Sequence, residues 1–392
     1  MQPILRFPEF KEKWEYNLFS EIVSNKSKKF NPKSNEVMQD IELDSIEQDT
    51  GRLLNTYVSK DFTSQKNIFG KGSVLYSKLR PYLNKYYYTQ FNGVCSSEIW
   101  VLNSLNNQKL SNLFLYFFIQ TNRFSNVANK SAGSKMPRAD WGLVENIRLY
   151  KGSIEEQEKI GQFFHKIDKQ IKLEEKKLEL LDQQKRGYIQ KLFSKELRFK
   201  DDNGNDYPNW AVVKLKDILS ERKEYASKTE NYPHATLSTS GITLKSDRYN
   251  RDFLVKDKSK KYKVTIMNDI CYNPANLKFG VITRNRIGSV IFSPIYITFE
   301  VNNGYSPLFI ELLVTRNDFI NRVRKYEEGT VYERMAVKPE DFLNYETEIP
   351  CLEEQKKIGD FLVKIDKLIE NQSKKIDFLK QRKQGLLQKI FV

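Results

Sequence analysis

At 392 residues, with 39% hydrophobic and 13% aromatic content, the chain has material for two or three folded domains and their cores. Its net charge of +15 is spread along the chain and favours a polyanionic partner, nucleic acid first, although a lysine-rich proteome yields the same excess. No apolar run approaches 18 residues, MQPILRFPEF lacks a signal-peptide layout, and Cys95, Cys271 and Cys351 form no CxxC, which excludes a membrane span, a disulfide framework and a cysteine zinc site and sets the expectation of a reduced, cytoplasmic protein.

Residues 1–150 read as a first globular unit. Residues 14–22 (WEYNLFSEI) open it. Short β-like runs at 73–76, 86–88 and 99–102 alternate with turn-rich stretches at 49–51 and 69–72. Residues 110–124 are apolar over a helical length and read as one buried helix. A loop at 129–138 (NKSAGSKMPR) then leads into residues 151–196.

There a 40-residue stretch begins, and it occurs twice. Residues 154–193 and 352–391 align without a gap at a constant spacing of 198, with about half the positions identical. Such a repeat outranks every other sequence signal. Each copy carries the 4-then-3 apolar spacing of a coiled coil. In the first the seam is Ile160, Phe164, Ile167, Ile171, Leu178 and Leu181; in the second it is Ile358, Leu362, Ile365, Ile369, Ile376 and Leu379. Polar residues interrupt both seams at equivalent places, Glu174 with Gln372 and Lys185 with Lys383. Such breaks cost stability but fix register. Ser153 and Glu156 read as a capping box for the first helix. The second has Pro350-Cys351 there and is expected to fray or to be capped differently. With both copies in one chain, mutual antiparallel pairing competes with pairing to another molecule.

Residues 197–350 repeat the plan of 1–150. Leu197-Arg198-Phe199 echoes Leu5-Arg6-Phe7, and 210–218 echoes 14–22. Residues 307–319 replace the apolar helix, and 329–334 replace the loop at 133–138. Between these anchors the two units diverge. The expected domains are therefore 1–150, 151–196, 197–350 and 351–392. The fold class is α+β: two tandem mixed α/β domains separated by two long helices that pair as an antiparallel coiled coil, with a pseudo-twofold internal repeat.

Catalytic chemistry is not visible. His165 faces Val363 in the alignment, and His234 follows Tyr232-Pro233 with no Cys/His cluster around it, so no metal site is expected. Gly70-Lys71-Gly72 is too short for a phosphate loop. Asn273-Pro274-Ala275-Asn276 lacks the second proline and aromatic of an amino-methyltransferase motif and reads as a turn. Loops suited to nucleic acid remain. In the first unit they offer Ser77, Lys78, Arg80, Tyr82, Lys135 and Arg138; in the second, Ser240, Lys245, Asn273, Asn276, Lys278, Thr330, Tyr332 and Arg334. Arg and Lys contact phosphates or guanine, and Asn reads adenine. One such loop carries little weight, since solvated basic loops are common; recurrence at matching places in a duplicated frame carries more.

The order of variable unit, repeated helix, variable unit, repeated helix resembles the specificity (S, HsdS) subunit of type I restriction–modification systems. The residues that carry the resemblance are the two E-E-Q-x-K-I-G segments (155–161 and 353–359), the L-R-F…W openings at Leu5 and Leu197, and the G-[ST] loop before each helix. It covers essentially the whole chain. The resemblance implies a non-catalytic subunit whose two target recognition domains each read one half of a bipartite sequence in double-stranded DNA. The helices would set the spacing and dock two modification subunits, which would bring S-adenosylmethionine and adenine N6 methylation. Restriction subunits would bring ATP and Mg, leaving this chain no cofactor of its own. Two other classes compete: a coiled-coil scaffold without sequence-specific DNA binding, and an enzyme with an unrecognised site.

Overall fold

A computed structural model describes residues 2–31, 36–130, 136–227, 232–245, 261–327 and 336–391. The chain forms two compact units, residues 1–179 with 371–392 and residues 180–370. Each holds one mixed module and one half of each long helix, Ile154–Phe193 and Leu352–Ile390.

Both modules are built on one frame. An antiparallel pair closes the first, Glu15–Leu18 with Arg148–Lys151; Ala211–Lys214 with Glu346–Ile349 closes the second. Each opening strand runs into a one-turn helix, Phe19–Ile22 or Leu215–Ile218, whose apolar ends are buried. A four-stranded sheet follows. Its order is 23–24, 99–104, 74–77, 86–88 in the first module and 219–221, 297–301, 270–272, 282–284 in the second. Apart from the closing Ser77, the central strand is apolar, Val74-Leu75-Tyr76 or Ile270-Cys271-Tyr272, and buried. Burial pushes the Cys271 thiol up and leaves it unreactive.

The modules diverge in their outer sheet. The first has five strands in one sheet, 29–30, 66–69, 93–96, 39–41 and 57–58. Among the described residues the second has 225–227, 261–265 and 290–292, with the hairpin Ala235–Ser238/Gly241–Leu244 beside them. Among the described residues, the parallel bridge from His234 to Ile291 stands where the first module has a parallel strand pair.

The helix expected over 110–124 is two helices, Asn112–Phe118 and Asn122–Ala128. The Thr121 hydroxyl donates to the Phe118 carbonyl at 2.7 Å and ends the first. The second module breaks in the same way. Pro307–Val314 gives way to Asn317–Val323, with the Thr315 hydroxyl on the Glu311 carbonyl at 2.7 Å. A hydroxyl competing for helix carbonyls is a local signal that hydrophobic periodicity does not register.

The E-E-Q-x-K-I-G segments are joints. The Glu156 carboxylate is buried and accepts from Arg6 at 2.7 and 2.8 Å and from Trp14 Nε1 at 2.9 Å. It is therefore turned away from the expected capping box, in which only the Glu156 N–H to Ser153 Oγ bond is made, at 3.4 Å. Arg198 grips Glu354 in the same fork, at 3.1 and 2.7 Å. Gln157 accepts from the Ser111 N–H at 3.1 Å, and Gln355 from the Ser306 N–H at 2.9 Å, so each glutamine holds the start of an apolar helix. Gly161 and Gly359 let that helix approach: an added Cβ would lie 2.9 Å from Leu113 or 2.8 Å from Leu308. Without a hydroxyl cap, the second long helix still starts in order, because Gln355 bonds the Cys351 and Pro350 carbonyls at 3.0 and 2.9 Å.

The long helices run antiparallel in both units. In the first, Asp168 pairs with Lys383 at 2.6 Å, Glu174 with Lys375 at 2.6 Å and Glu175 with Lys380 at 2.8 Å. In the second, Lys185 pairs with Asp366, and the Tyr188 and Phe361 rings meet at 5.0 Å. All twelve expected seam residues are buried or half-buried. The outer seam residues, Ile160, Phe164, Ile358 and Leu362, also enter the module cores. In the first core Phe114 packs on Phe391 at 4.7 Å and Phe117 on Phe164 at 5.3 Å.

One joint is covalent in the second unit and non-covalent in the first. Lys195 turns left-handed (φ 63°) after the first long helix, and the Leu197 N–H returns to the Lys191 carbonyl at 3.0 Å. At the equivalent carbonyl, Lys389, the N–H groups of Ile4 and Leu5 arrive from the start of the chain, at 2.9 and 3.1 Å.

Candidate nucleic-acid interface

The loops named from sequence in the first module converge on one end of its four-stranded sheet. Ser77 ends the central strand, buried, with its hydroxyl donating to the Leu79 carbonyl at 2.8 Å. Lys78 follows; its N–H donates to the Glu98 carbonyl at 3.0 Å and its carbonyl accepts from the Ala139 N–H at 2.7 Å. Leu79 bridges to Arg138, and the left-handed Arg80 (φ 51°) donates its N–H to the Pro137 carbonyl at 2.8 Å. The stretches 76–82 and 136–138, over 50 residues apart in sequence, are thus one surface. It shows the Arg80 and Tyr82 side chains to solvent. The Arg138 guanidinium is exposed but held by Glu98 at 2.9 Å. Lys135 lies outside the described residues.

The second module builds the same place from a different turn. Asn273 is mostly buried; its side chain accepts from the Ala275 N–H at 3.1 Å and its N–H donates to the Val281 carbonyl at 3.0 Å. It starts the short helix Pro274–Phe279, along which Asn276 is half-buried and Lys278 exposed. Ser77 and Asn273 therefore both shape the turn, and the outward cations and aromatics are Arg80, Tyr82, Lys278 and Phe279. Phe279 is the residue that loop reading missed; its one sequence signal is an aromatic set between a lysine and a glycine. The neighbouring segment also returns here, as the Tyr272 hydroxyl donates to the Val337 carbonyl at 3.0 Å. Thr330, Tyr332 and Arg334 lie outside the described residues. Ser240 sits at the tip of the hairpin 235–244, its hydroxyl 2.8 Å from that of Ser238. Lys245 is at the base of that hairpin, its N–H on the His234 carbonyl at 2.8 Å, so the fold separates it from Ser240.

Charge inside the modules is used for structure. Lys66 is buried against Asp40 at 2.9 Å and Glu42, and burial raises the Asp40 carboxyl above its ordinary range. On the equivalent strand of the second module Lys263 is buried against Glu221 at 2.9 Å. Glu311, on the apolar helix, accepts from the Arg284 Nε at 3.0 Å and from Arg286 at 2.8 Å. None of these groups faces the convergent loops as a free reactive side chain.

Each of the two duplicated modules carries exposed cations and aromatics on loops at one end of its four-stranded sheet. Comparison with known proteins shows what the chain is similar to. Residues 11–183 match the family described as type I restriction modification DNA specificity domain. The chain is 25% identical over 334 residues to the type I restriction enzyme MjaVIII specificity subunit of Methanocaldococcus jannaschii, covering 75% of this chain and 72% of that one. It is 28% identical over 156 residues to the EcoDI specificity subunit of Escherichia coli, covering 39% and 34%. The fold recurs in the HsdS subunit of Thermoanaerobacter tengcongensis (TM-score 0.55, 16% identity, 98% of each chain) and in the S subunit from M. genitalium (TM-score 0.55, 14% identity, 100% and 99%). Residues 11–183 thus match a type I restriction modification DNA specificity domain, and over most of its length the chain is similar to type I specificity subunits.

Proposed function

We propose that each module of this non-catalytic DNA-recognition subunit reads one half of a bipartite target. The observation that carries this reading is a cation-and-aromatic loop cluster at the same end of the same four-stranded sheet in both modules, built from unrelated loop sequences. A conserved frame with divergent loops is what two half-site readers need.

The paired helices set the gap between half-sites, and their outer faces receive two modification subunits. Leu180 and Phe378 hold the same place in the two repeats and are both exposed, so the repeats offer an apolar anchor at an equivalent position. S-adenosylmethionine then belongs to the modification subunits, and ATP and Mg to restriction subunits, in the cytoplasm. Single-molecule sequencing of host DNA is the test. A split motif carrying N6-methyladenine is expected with this chain present and absent without it; methylation that persists unchanged in a deletion strain overturns the reading.

A further inference from the structure

We propose that Phe279 stacks on the DNA of the half-site read by the second module, a contact that rests on the recognition reading above and adds a base-neutral anchor to it. Phe279 is 63% exposed although it ends a firmly held turn. Leu277 beneath it is fully buried, Asn273 caps the start, and Gly280 turns left-handed (φ 76°) into the strand 282–284. The ring is therefore presented by a pre-ordered backbone, and little further ordering is lost on contact.

A lone exposed apolar side chain is ordinary. Two features set this one apart. Lys278 places its Nζ 5.0 Å from the Phe279 ring centroid, so a cation able to meet a phosphate accompanies the ring. The second feature is recurrence. The turn leaving the equivalent strand of the first module, Pro81–Leu83, also begins with proline and ends on a left-handed residue, Asn84 (φ 44°). It follows the exposed Arg80 and shows Tyr82 at 54% exposure. RPYLN and NPANLKFG align only at the proline, and Tyr82 follows its proline directly whereas Phe279 ends its turn, so the likeness is an exposed aromatic on each turn rather than one matched position. Two turns of different sequence have kept an outward aromatic beside an outward cation on the surface where the loops gather. An aromatic face stacks on any base or wedges at a base step, and it supplies affinity and register while neighbouring polar groups supply sequence.

The test uses the full chain assembled with its modification subunits and a duplex bearing the split motif found by methylation sequencing. F279A is expected to weaken binding roughly ten- to a hundredfold, with an unchanged slope of log affinity against log salt. K278A is expected to lower that slope by about one. F279W is expected to bind like the wild type, and thermal unfolding of F279A to be unaltered, as befits an exposed side chain. Wild-type affinity of F279A overturns the proposal, and so does wild-type affinity of F279L, which keeps apolar bulk without a π-face. A wild-type complex that does not distinguish the motif duplex from a scrambled one overturns the recognition reading instead, before any variant is compared.

Discussion

Gln372 donates through Nε2 to Glu174 Oε2 at 2.7 Å and to the Glu174 carbonyl at 2.9 Å, and these two residues hold the same place in the two copies of the repeat. In an antiparallel pair of equivalent helices only a position near the middle meets its own counterpart, so this bond marks the centre of the pairing. The flanking contacts agree. Asp168 with Lys383 and Asp366 with Lys185 are one interaction written twice. The seam breaks at Glu174/Gln372 and Lys185/Lys383 are therefore register marks.

The Gln372 hydrogen bond, with that of Lys375 behind it, holds the Glu174 carboxyl below its ordinary value. A depressed carboxyl stabilises the fold fully above its unfolded pKa of about 4.3 and loses that contribution as pH falls through the lower folded value. Denaturant unfolding followed from pH 6 to pH 3 should show stability falling below about pH 4.3, with a shallower fall in E174Q. An identical pH profile in both proteins would show that the pair contributes nothing to register energy.

The glycines of the repeat make a steric prediction. G161A and G359A each push a methyl into a leucine on the apolar helix, at 2.9 and 2.8 Å. Overpacking of this kind costs about 1–3 kcal/mol. Trimming the opposed side chain, as in G161A with L113A, should recover part of the loss in a double-mutant cycle. G187A and G385A, where an added Cβ meets nothing within 4 Å, should be neutral or slightly stabilising through helix propensity.

The two glutamate joints are alike in the fork and unlike beyond it. Glu156 serves Arg6 and Trp14, whereas in the second copy, where Pro350 replaces Gly152, Trp210 Nε1 has no hydrogen-bond partner among the described residues. Removing a buried acceptor strands its donors. E156A should cost about 3 kcal/mol and E354A about 2 kcal/mol, read by chemical unfolding. Equal losses would mean that the indole bond has no net value.

The frame was legible because it is written twice. The repeat, the seam, the opening strand and one-turn helix, and the equivalence of 110–124 with 307–319 all rest on periodicity or on comparing the copies. The loops were legible in composition only. That 76–82 and 136–138 are one surface follows from a Leu79–Arg138 bridge, a long-range pairing that no local pattern announces. Chemistry also changes under a constant fold. Tyr116 packs on Tyr86 and Tyr88 at 5.7 and 5.6 Å, while on the equivalent helix Glu311 binds Arg284 and Arg286. One copy ties helix to strand with rings and the other with charges, so alignment fails where structure agrees.

Modularity has a direct consequence for specificity. Each module closes on itself through its own strand pair, 15–18 with 148–151 or 211–214 with 346–349. Replacing residues 197–350 with the corresponding domain of a type I specificity subunit, keeping Arg198, Trp210 and the frame of the joint, should change one half of the methylated motif. Methylome sequencing that shows both halves altered would defeat the assignment of one half-site to one module.

The helices make the last prediction, on spacing. A four-residue insertion would rotate the seam, since the apolar pattern repeats every 3.5 residues on average. A heptad inserted into each copy next to Glu174 and Gln372 keeps the seam in phase and adds about 10.5 Å at ~1.5 Å per residue. At ~3.4 Å per base pair, that is about three base pairs. The expected outcome is an unchanged pair of half-sites separated by a gap about three base pairs longer, read by methylome sequencing of the insertion mutant. An unchanged gap would show that DNA bending or module rotation, rather than helix length, sets the distance; loss of methylation with a folded protein would show that the modification subunits span both helices at a fixed length.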